Sequence, residues 1–239
     1  MTDDIKQLAP AGRLRGGVVT APAASVFFAT QDDKGPHGVT VDLLRFFAEQ
    51  LALPLDLNIF PNSGEATDAV ASGACDVAFM PRDAAREARL AFGPAYFIIQ
   101  STYLVLAGST IRTVEQVNRQ GVRIVAIANT TTMRSARRTA PLASVREVRS
   151  VDEMMQLAAA GESDAFALSH DSLAPLLPKL PGARILPGGF QQTGISVAVP
   201  LGRSNALALV SGLLEEAKRN GVVRRALDVA GFADDEIAP

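Results

Sequence analysis

The chain has 239 residues, of which 48% are hydrophobic and 20% are charged, and its formal net charge is −2. This composition excludes a disordered chain, and the small net charge gives no reason to expect nucleic acid or an anionic membrane surface as a partner. The length accommodates either one large domain or two lobes of about 100 residues, each able to bury its own core.

The predicted elements of the first half alternate between strands and helices. Apolar periodicity predicts a strand over residues 14–21, a helix over 41–51 that ends before Pro54, a strand over 55–60, a short helix that ends at Ser72 and a strand over 77–80. Strands joined by helices are typical of an α/β fold.

The second half continues the alternation. The predicted elements are a long strand (96–106), a strand (122–128), two helices (131–138 and 154–160), two strands (165–168 and 194–199), a helix (204–218) and a basic turn at 224–225. Strands 96–106 and 194–199 are long enough to cross between lobes. We therefore expect a discontinuous first lobe, residues 1–101 and 196–239, and a second lobe, residues 102–195.

One local pattern occurs in both halves. A helical segment ends at Gly73, and Asp76 then opens an apolar strand; another ends at Gly161, and Asp164 opens the next. The repeat predicts two similar α/β units. Ligands of open α/β sheets lie at the carboxyl ends of such strands.

The chain gives few signs of its compartment. No apolar run reaches the ~20 residues of a membrane-spanning helix, and the acidic start lacks the apolar core of a signal peptide. Either a signal has been removed or the protein is cytoplasmic. The single cysteine, Cys75, cannot form an intramolecular disulfide. No Cys/His cluster, phosphate loop or Ser/His/Asp triad can be recognised, so we expect neither metal nor cofactor.

The first of the two units resembles the signature of the periplasmic solute-binding proteins of amino-acid-type ABC transporters. The matching residues, in order along the chain, are Ser72, Gly73, Asp76, Arg86, Phe92, Gly93 and Tyr96. The resemblance implies the bilobed type II periplasmic-binding-protein fold, with two α/β lobes joined by two hinge strands. It also implies a monomeric periplasmic receptor that binds a small carboxylate-bearing solute in the cleft between its lobes and passes it to a permease.

Arg86 is the first candidate for ligand binding. In the family, the Arg six residues before the Phe of the Phe-x-x-x-Tyr segment clamps the ligand carboxylate, and Arg86 stands six before Phe92. A guanidinium can meet a carboxylate with two parallel hydrogen bonds. The alternative is that Arg86 is an exposed helix residue, like Arg82 and Arg89.

The run from Asn129 to Thr132 is the second candidate. It lies between a predicted strand and a predicted helix, where free N–H groups favour an anion. The family has Gly-Thr-Thr here, and Asn129, Thr130 and Thr131 align with it; Asn also tolerates a left-handed backbone. Helix capping by Thr is the alternative, although capping and binding can coexist.

The chain departs from the amino-acid-binding pattern at several positions. Ser169 stands where many members carry the Asp that binds an α-ammonium, and Asp171 or Glu65 is a possible substitute. Helix capping alone would also explain Glu65. The full set of candidate ligand residues is Arg86, Thr130, Thr131, Asn129, Thr132, Glu65, Ser169, Asp171, Thr193, Phe79, Met80, Pro81 and Phe28.

An enzyme is the alternative function. The same fold includes dehydratases that act on prephenate or arogenate, and Glu65, Asp171 or His170 could serve as an acid beside Arg86. The sequence favours a receptor that makes no bond over a dehydratase.

Overall fold

A computed structural model describes residues 3–20, 25–27, 29–233 and 236–239. The chain divides into two compact units. Unit 1 comprises Met1–Ile98 and Gly194–Pro239, and unit 2 comprises Ile99–Thr193.

The elements run in the order expected of an α/β protein. The first ten are α1 (Asp3–Leu8), β1 (Leu14–Val19), β2 (Thr30–Asp32), β3 (Gly35–His37), α2 (Val39–Gln50), β4 (Leu55–Phe60), α3 (Ser63–Ala71), β5 (Val77–Pro81), α4 (Ala84–Glu87) and β6 (Leu90–Val105). The others are β7 (Arg123–Ile127), α5 (Thr131–Thr139), β8 (Ser144–Val148), α6 (Val151–Ala159), β9 (Ala165–Ser169), α7 (His170–Leu173), β10 (Arg184–Ile185), β11 (Gln191–Pro200), α8 (Ser204–Arg219) and α9 (Val222–Val229). Two short 3₁₀ helices, Glu115–Val117 and Ala174–Lys179, join elements of unit 2.

Strand β1 is an inner strand of the sheet of unit 1. Strand β1 pairs in parallel with β4 on one side and β5 on the other, and β11 runs antiparallel to β5 with Val197 opposite Phe79. Helix α2 packs against α8 and α9. The rings of Phe47 and Tyr96 lie 5.6 and 5.4 Å from that of Phe79, and all three side chains are buried.

Unit 2 repeats this arrangement with other strands. Strand β7 pairs in parallel with β8 and β9, and β6 runs antiparallel to β9 with Ser101 opposite Ser169. Successive residues of each strand enter different cores: Ile124 and Tyr103 lie in one cluster, and Val125 and Leu104 in the other. This alternation is the period of two expected when both faces of a sheet are covered.

The predicted α/β fold is confirmed, and the predicted helix ends are also found. Gly73 and Gly161 have φ values of 75° and 67°, in the left-handed region where glycine ends a helix without strain. Cys75, two residues beyond Gly73, is fully buried, and burial raises the pKa of its thiol to about 11. Across the part of the chain that the structure describes, the helices are too short or too polar to cross a membrane.

Two sequence expectations are wrong in detail. The long strand begins at Leu90, before the Gly93-Pro94 pair that locally argues against a strand. The predicted basic turn at Arg224-Arg225 is helical and lies within α9. The reason is amphipathic spacing: Val223, Ala226 and Leu227 recur on one face of a helix, and all three are buried.

Candidate functional site

Arg86 lies in α4, at the end of a turn that follows β5. Asp83 caps this short helix, and its carboxylate accepts a hydrogen bond from the Arg86 backbone N–H at 2.9 Å. The Arg86 residue is only 3% exposed. A buried guanidinium is uncommon because its charge must be compensated by hydrogen bonds or by an anion.

Three neutral oxygens accept hydrogen bonds from the guanidinium of Arg86. Its Nε donates to Thr67 Oγ1 at 3.0 Å, one terminal nitrogen donates to the Pro81 carbonyl at 2.8 Å, and the other donates to Ser63 Oγ at 2.7 Å. These contacts fix the plane of the fork. Such a rigid cation is suited to recognising a carboxylate.

Ser63 and Thr67 were not among the sequence candidates. They stand four residues apart on α3, and Thr67 Oγ1 donates to the Ser63 carbonyl at 2.6 Å. Both side chains are buried although α3 is otherwise a short, partly polar helix. The i, i+4 spacing of two hydroxyl residues was the available signal, because such residues share one helix face.

The neighbouring arginines differ from Arg86. Arg82 and Arg89 are exposed, and they form ion pairs with Glu87 at 2.5 Å and with Asp68 at 2.8 Å. The alternative that Arg86 is an exposed helix arginine of the same kind is therefore wrong.

Four further unit 1 candidates, Phe79, Met80, Pro81 and Glu65, make contacts within unit 1. Phe79 lies in the aromatic core, and Met80 is fully buried with its sulfur 3.5 Å from Thr67 Oγ1. Pro81 contributes its carbonyl to Arg86. Glu65 is exposed and forms a reciprocal cap with Asn62, as its backbone N–H donates to Asn62 and its carboxylate accepts from the Asn62 amide. Phe28 lies outside the described residues.

In unit 2, Asn129 and Thr130 form the entry to α5. Asn129 has a φ of 60°, the left-handed conformation in which Asn can replace Gly. Thr130 is the N-cap: its hydroxyl accepts from the Met133 backbone N–H at 3.1 Å and donates to the Ile127 carbonyl at 2.8 Å. The capping role predicted for this run is thus found at Thr130.

Thr131 and Thr132 are buried on the first turn of α5, with exposures of 3% and 6%. Thr132 Oγ1 lies 3.0 Å from Ser101 Oγ, and Ser101 stands opposite Ser169 in the sheet. Ser169 Oγ in turn donates to Ser172. Unit 2 therefore gathers hydroxyl groups from β6, β9 and α5 at the carboxyl end of its parallel strands.

Several side-chain polar atoms of unit 2 are buried without a hydrogen-bond partner among the described residues, and three of them belong to residues near the carboxyl end of β9 or the start of β11. These three are Asp171 Oδ2, Gln191 Oε1 and Thr193 Oγ1. Gln191 was missed by the sequence analysis, since an isolated Gln in a strand carries no recognisable motif. Unpaired buried polar atoms are costly, and acceptors of this type would be satisfied by N–H donors of a bound solute.

Comparison with known proteins gives one family match and a set of structural neighbours. Residues 18–228 match the family described as bacterial extracellular solute-binding proteins, family 3. The chain is 26% identical over 145 residues to the ABC transporter glutamine-binding protein GlnH of Bacillus subtilis (strain 168). That match covers 61% of this chain and 53% of GlnH, so it spans about half the length of the relative.

Two solved structures illustrate the likeness in fold. The solute receptor for L-cysteine of Neisseria gonorrhoeae has a TM-score of 0.81 at 17% identity, over 95% of this chain and 92% of that one. An ancestral amino-acid-binding protein, described as a precursor of cyclohexadienyl dehydratase, has a TM-score of 0.78 at 20% identity, over 94% of this chain and 98% of that one. At these identities the likeness shows the type II periplasmic-binding-protein fold.

Proposed function

The chain belongs to family 3 of the bacterial extracellular solute-binding proteins, and from that premise we propose that it is the solute receptor of an ABC transporter. It acts outside the cytoplasm, binds a small solute that carries a carboxylate, and delivers it to a permease. The solute is an amino acid or a related organic acid.

The observation that carries this proposal is the burial of the Arg86 guanidinium among the neutral oxygens of Ser63, Thr67 and Pro81. An arginine whose orientation is fixed in advance loses little side-chain entropy when an anion binds. Two parallel N–H···O bonds to a carboxylate then give both affinity and orientation.

Unit 2 supports the narrower claim that the solute also carries N–H groups. Asp171 Oδ2 and Gln191 Oε1 are buried acceptors without a partner in the described residues, so an ammonium or amide of a solute would satisfy them. Asp171 thereby serves in place of the acidic residue that the sequence lacks at Ser169. Two of the similar proteins are named for solutes that carry N–H groups, one for glutamine and the other for L-cysteine.

The test is calorimetry with L-glutamine, L-cysteine, L-arginine and succinate as probes. We expect saturable binding of at least one of them and a loss of about 2–5 kcal/mol of binding free energy in Arg86→Ala, because a buried charge pair is broken. Arg86→Lys should also bind poorly, since the lysine ammonium lacks the planar fork.

Arg89→Ala is the matched control, because Arg89 is an exposed arginine of the same turn. Circular dichroism and the thermal midpoint establish that each variant is folded. Full affinity in a folded Arg86→Lys protein would overturn the assignment of Arg86.

The enzymatic alternative has a separate test. A receptor returns its solute unchanged, so prolonged incubation with prephenate or arogenate should leave the starting compound intact by mass spectrometry. Turnover faster than ~1 s⁻¹, the low end of typical enzyme rates, would replace the receptor by a dehydratase.

A further inference from the structure

Unit 2 contains a groove at the edge of the sheet where β7 and β9 begin and β6 ends. Its volume is about 930 Å³, within the range of small-molecule sites. Arg123 and Asp164 line the groove: Arg123 is the first residue of β7, and Asp164 precedes β9. Asn129 and Asp171 instead follow the opposite ends of the same two strands. The groove is therefore separate from the candidate residues of unit 2.

The wall of the groove is apolar. Leu106, Met155, Ala158 and Leu180 line it, and all four are partly buried side chains that pack on one core of unit 2. An alkyl chain or a ring that lies against this apolar surface is stabilised, because it is removed from water.

The charges of the groove are mainly positive. Asp164 is the one acidic residue among its lining residues, and both of its oxygens already accept hydrogen bonds from Arg123. Arg119 and Lys179 also line the groove and are exposed. With the Arg123–Asp164 pair neutral, these two cations give the groove an excess of positive charge that attracts an anion.

A buried hydroxyl provides an independent sign of a ligand. Ser163 lines the groove, is 4% exposed, and its Oγ has no hydrogen-bond partner among the described residues. A buried hydroxyl without a partner costs free energy unless something else satisfies it. The polar end of a bound molecule would do so.

We propose that this groove is a second binding site, for a small organic anion with an apolar body, namely an aliphatic carboxylate. The carboxylate lies near the cations of the rim and accepts a hydrogen bond from Ser163, and the alkyl chain lies along Leu106, Met155 and Leu180. The site is independent of Arg86 and of the transported solute.

The experiment uses the full chain, with octanoate as the probe and octylamine as the probe of opposite charge. Calorimetry should show saturable octanoate binding that weakens as salt is added, and weaker binding of octylamine. In NMR spectra, octanoate should shift the amide signals of Leu106 and Ser163 and the methyl signal of Met155.

Two neighbouring alanines provide matched variants. Ala159 lines the groove, whereas Ala160 is the next residue and does not, and both are exposed at the end of α6. Ala159→Glu should raise the octanoate Kd about fivefold and Lys179→Gln about threefold, as expected for charge pairs near a surface. Ala160→Glu, which adds the same charge one residue away, and Lys34→Gln in the β2–β3 hairpin of unit 1 should have smaller effects.

The proposal fails if octanoate shows no saturable binding at millimolar concentration, if octylamine binds as well as octanoate, or if Ala159→Glu and Ala160→Glu have equal effects. A groove that binds only a partner protein would give the first of these results. All these variants lie outside the Arg86 site. If they bind amino acids normally, a failure of the groove proposal is distinguished from a failure of the receptor proposal.

Discussion

Unit 1 and unit 2 contain the same Arg–Asp arrangement in two different surroundings. In unit 1, Asp76 accepts the Arg15 backbone N–H at 3.0 Å and two side-chain bonds from Arg15, at 3.0 and 2.5 Å. In unit 2, Asp164 accepts the Arg123 backbone N–H at 2.8 Å and two side-chain bonds, at 3.0 and 2.8 Å. Each Asp also donates its own N–H to the carbonyl of its Arg.

The two pairs differ in exposure to solvent. The Asp76 side chain is fully buried and meets a second cation, Arg203, at 3.3 Å, whereas the Asp164 side chain is 34% exposed. A buried carboxylate depends on its partners, because no water can replace them, while an exposed one can be rehydrated. The same hydrogen bonds therefore contribute differently to the stability of the two units.

The largest effect is expected for Asp76→Asn. This change leaves two guanidinium groups without their carboxylate in a partly buried place, and we expect the free energy of unfolding of unit 1 to fall by about 3 kcal/mol. Tyr96 is the one tyrosine of unit 1 and Tyr103 the one tyrosine of unit 2, so denaturation followed by tyrosine fluorescence in Tyr103→Phe reports on unit 1. If Asp76→Asn lost no more unfolding free energy than Asp164→Asn, the claim that burial makes the Asp76 pair the more important one would be contradicted.

An intermediate effect is expected for Arg203→Gln. Asp76 keeps its bonds from Arg15, so only the 3.3 Å contact is lost, and we expect a loss of about 1 kcal/mol. Denaturation of this variant in the Tyr103→Phe background measures the effect. A loss as large as that of Asp76→Asn would mean that Arg203, rather than Arg15, is the main partner.

The smallest effect is expected for Asp164→Asn, with a loss below about 1 kcal/mol at neutral pH. Hydrogen bonds from Arg123 lower the pKa of Asp164 below its usual value of 3.8. The folded-state pKa is thus depressed, so the stabilisation is complete above pH 3.8 and is lost as the pH falls through the lower folded value. Hydrogen exchange of unit 2 peptides should show this acid-dependent loss in the original chain and a smaller one in Asp164→Asn.

Much of the repeat could be predicted from the sequence, but its stabilising partners could not. Gly73 with Asp76 and Gly161 with Asp164 follow a local pattern that short-range sterics explain. The partners Arg15 and Arg123 lie 61 and 41 residues away from their carboxylates, and only the pairing of strands brings them together. No local signal distinguishes these arginines from other charged residues.

The candidate site, too, could be predicted only in part from the sequence. The spacing to Phe92 singled out Arg86, and the strand-to-helix pattern predicted the cap at Thr130 and the left-handed Asn129. The burial of Arg86 and its bonds to Ser63 and Thr67 depend on how α3 packs beside β5, which periodicity does not encode.

Cys75 lies between the helix end at Gly73 and the buried carboxylate of Asp76, and it is the single thiol of the chain. With its pKa raised to about 11 and its sulfur buried, the thiol is protonated and shielded at neutral pH. An alkylating reagent can therefore react only during the moments when this part of unit 1 opens. The rate at which Cys75 is labelled therefore measures how often the structure around Asp76 unfolds locally.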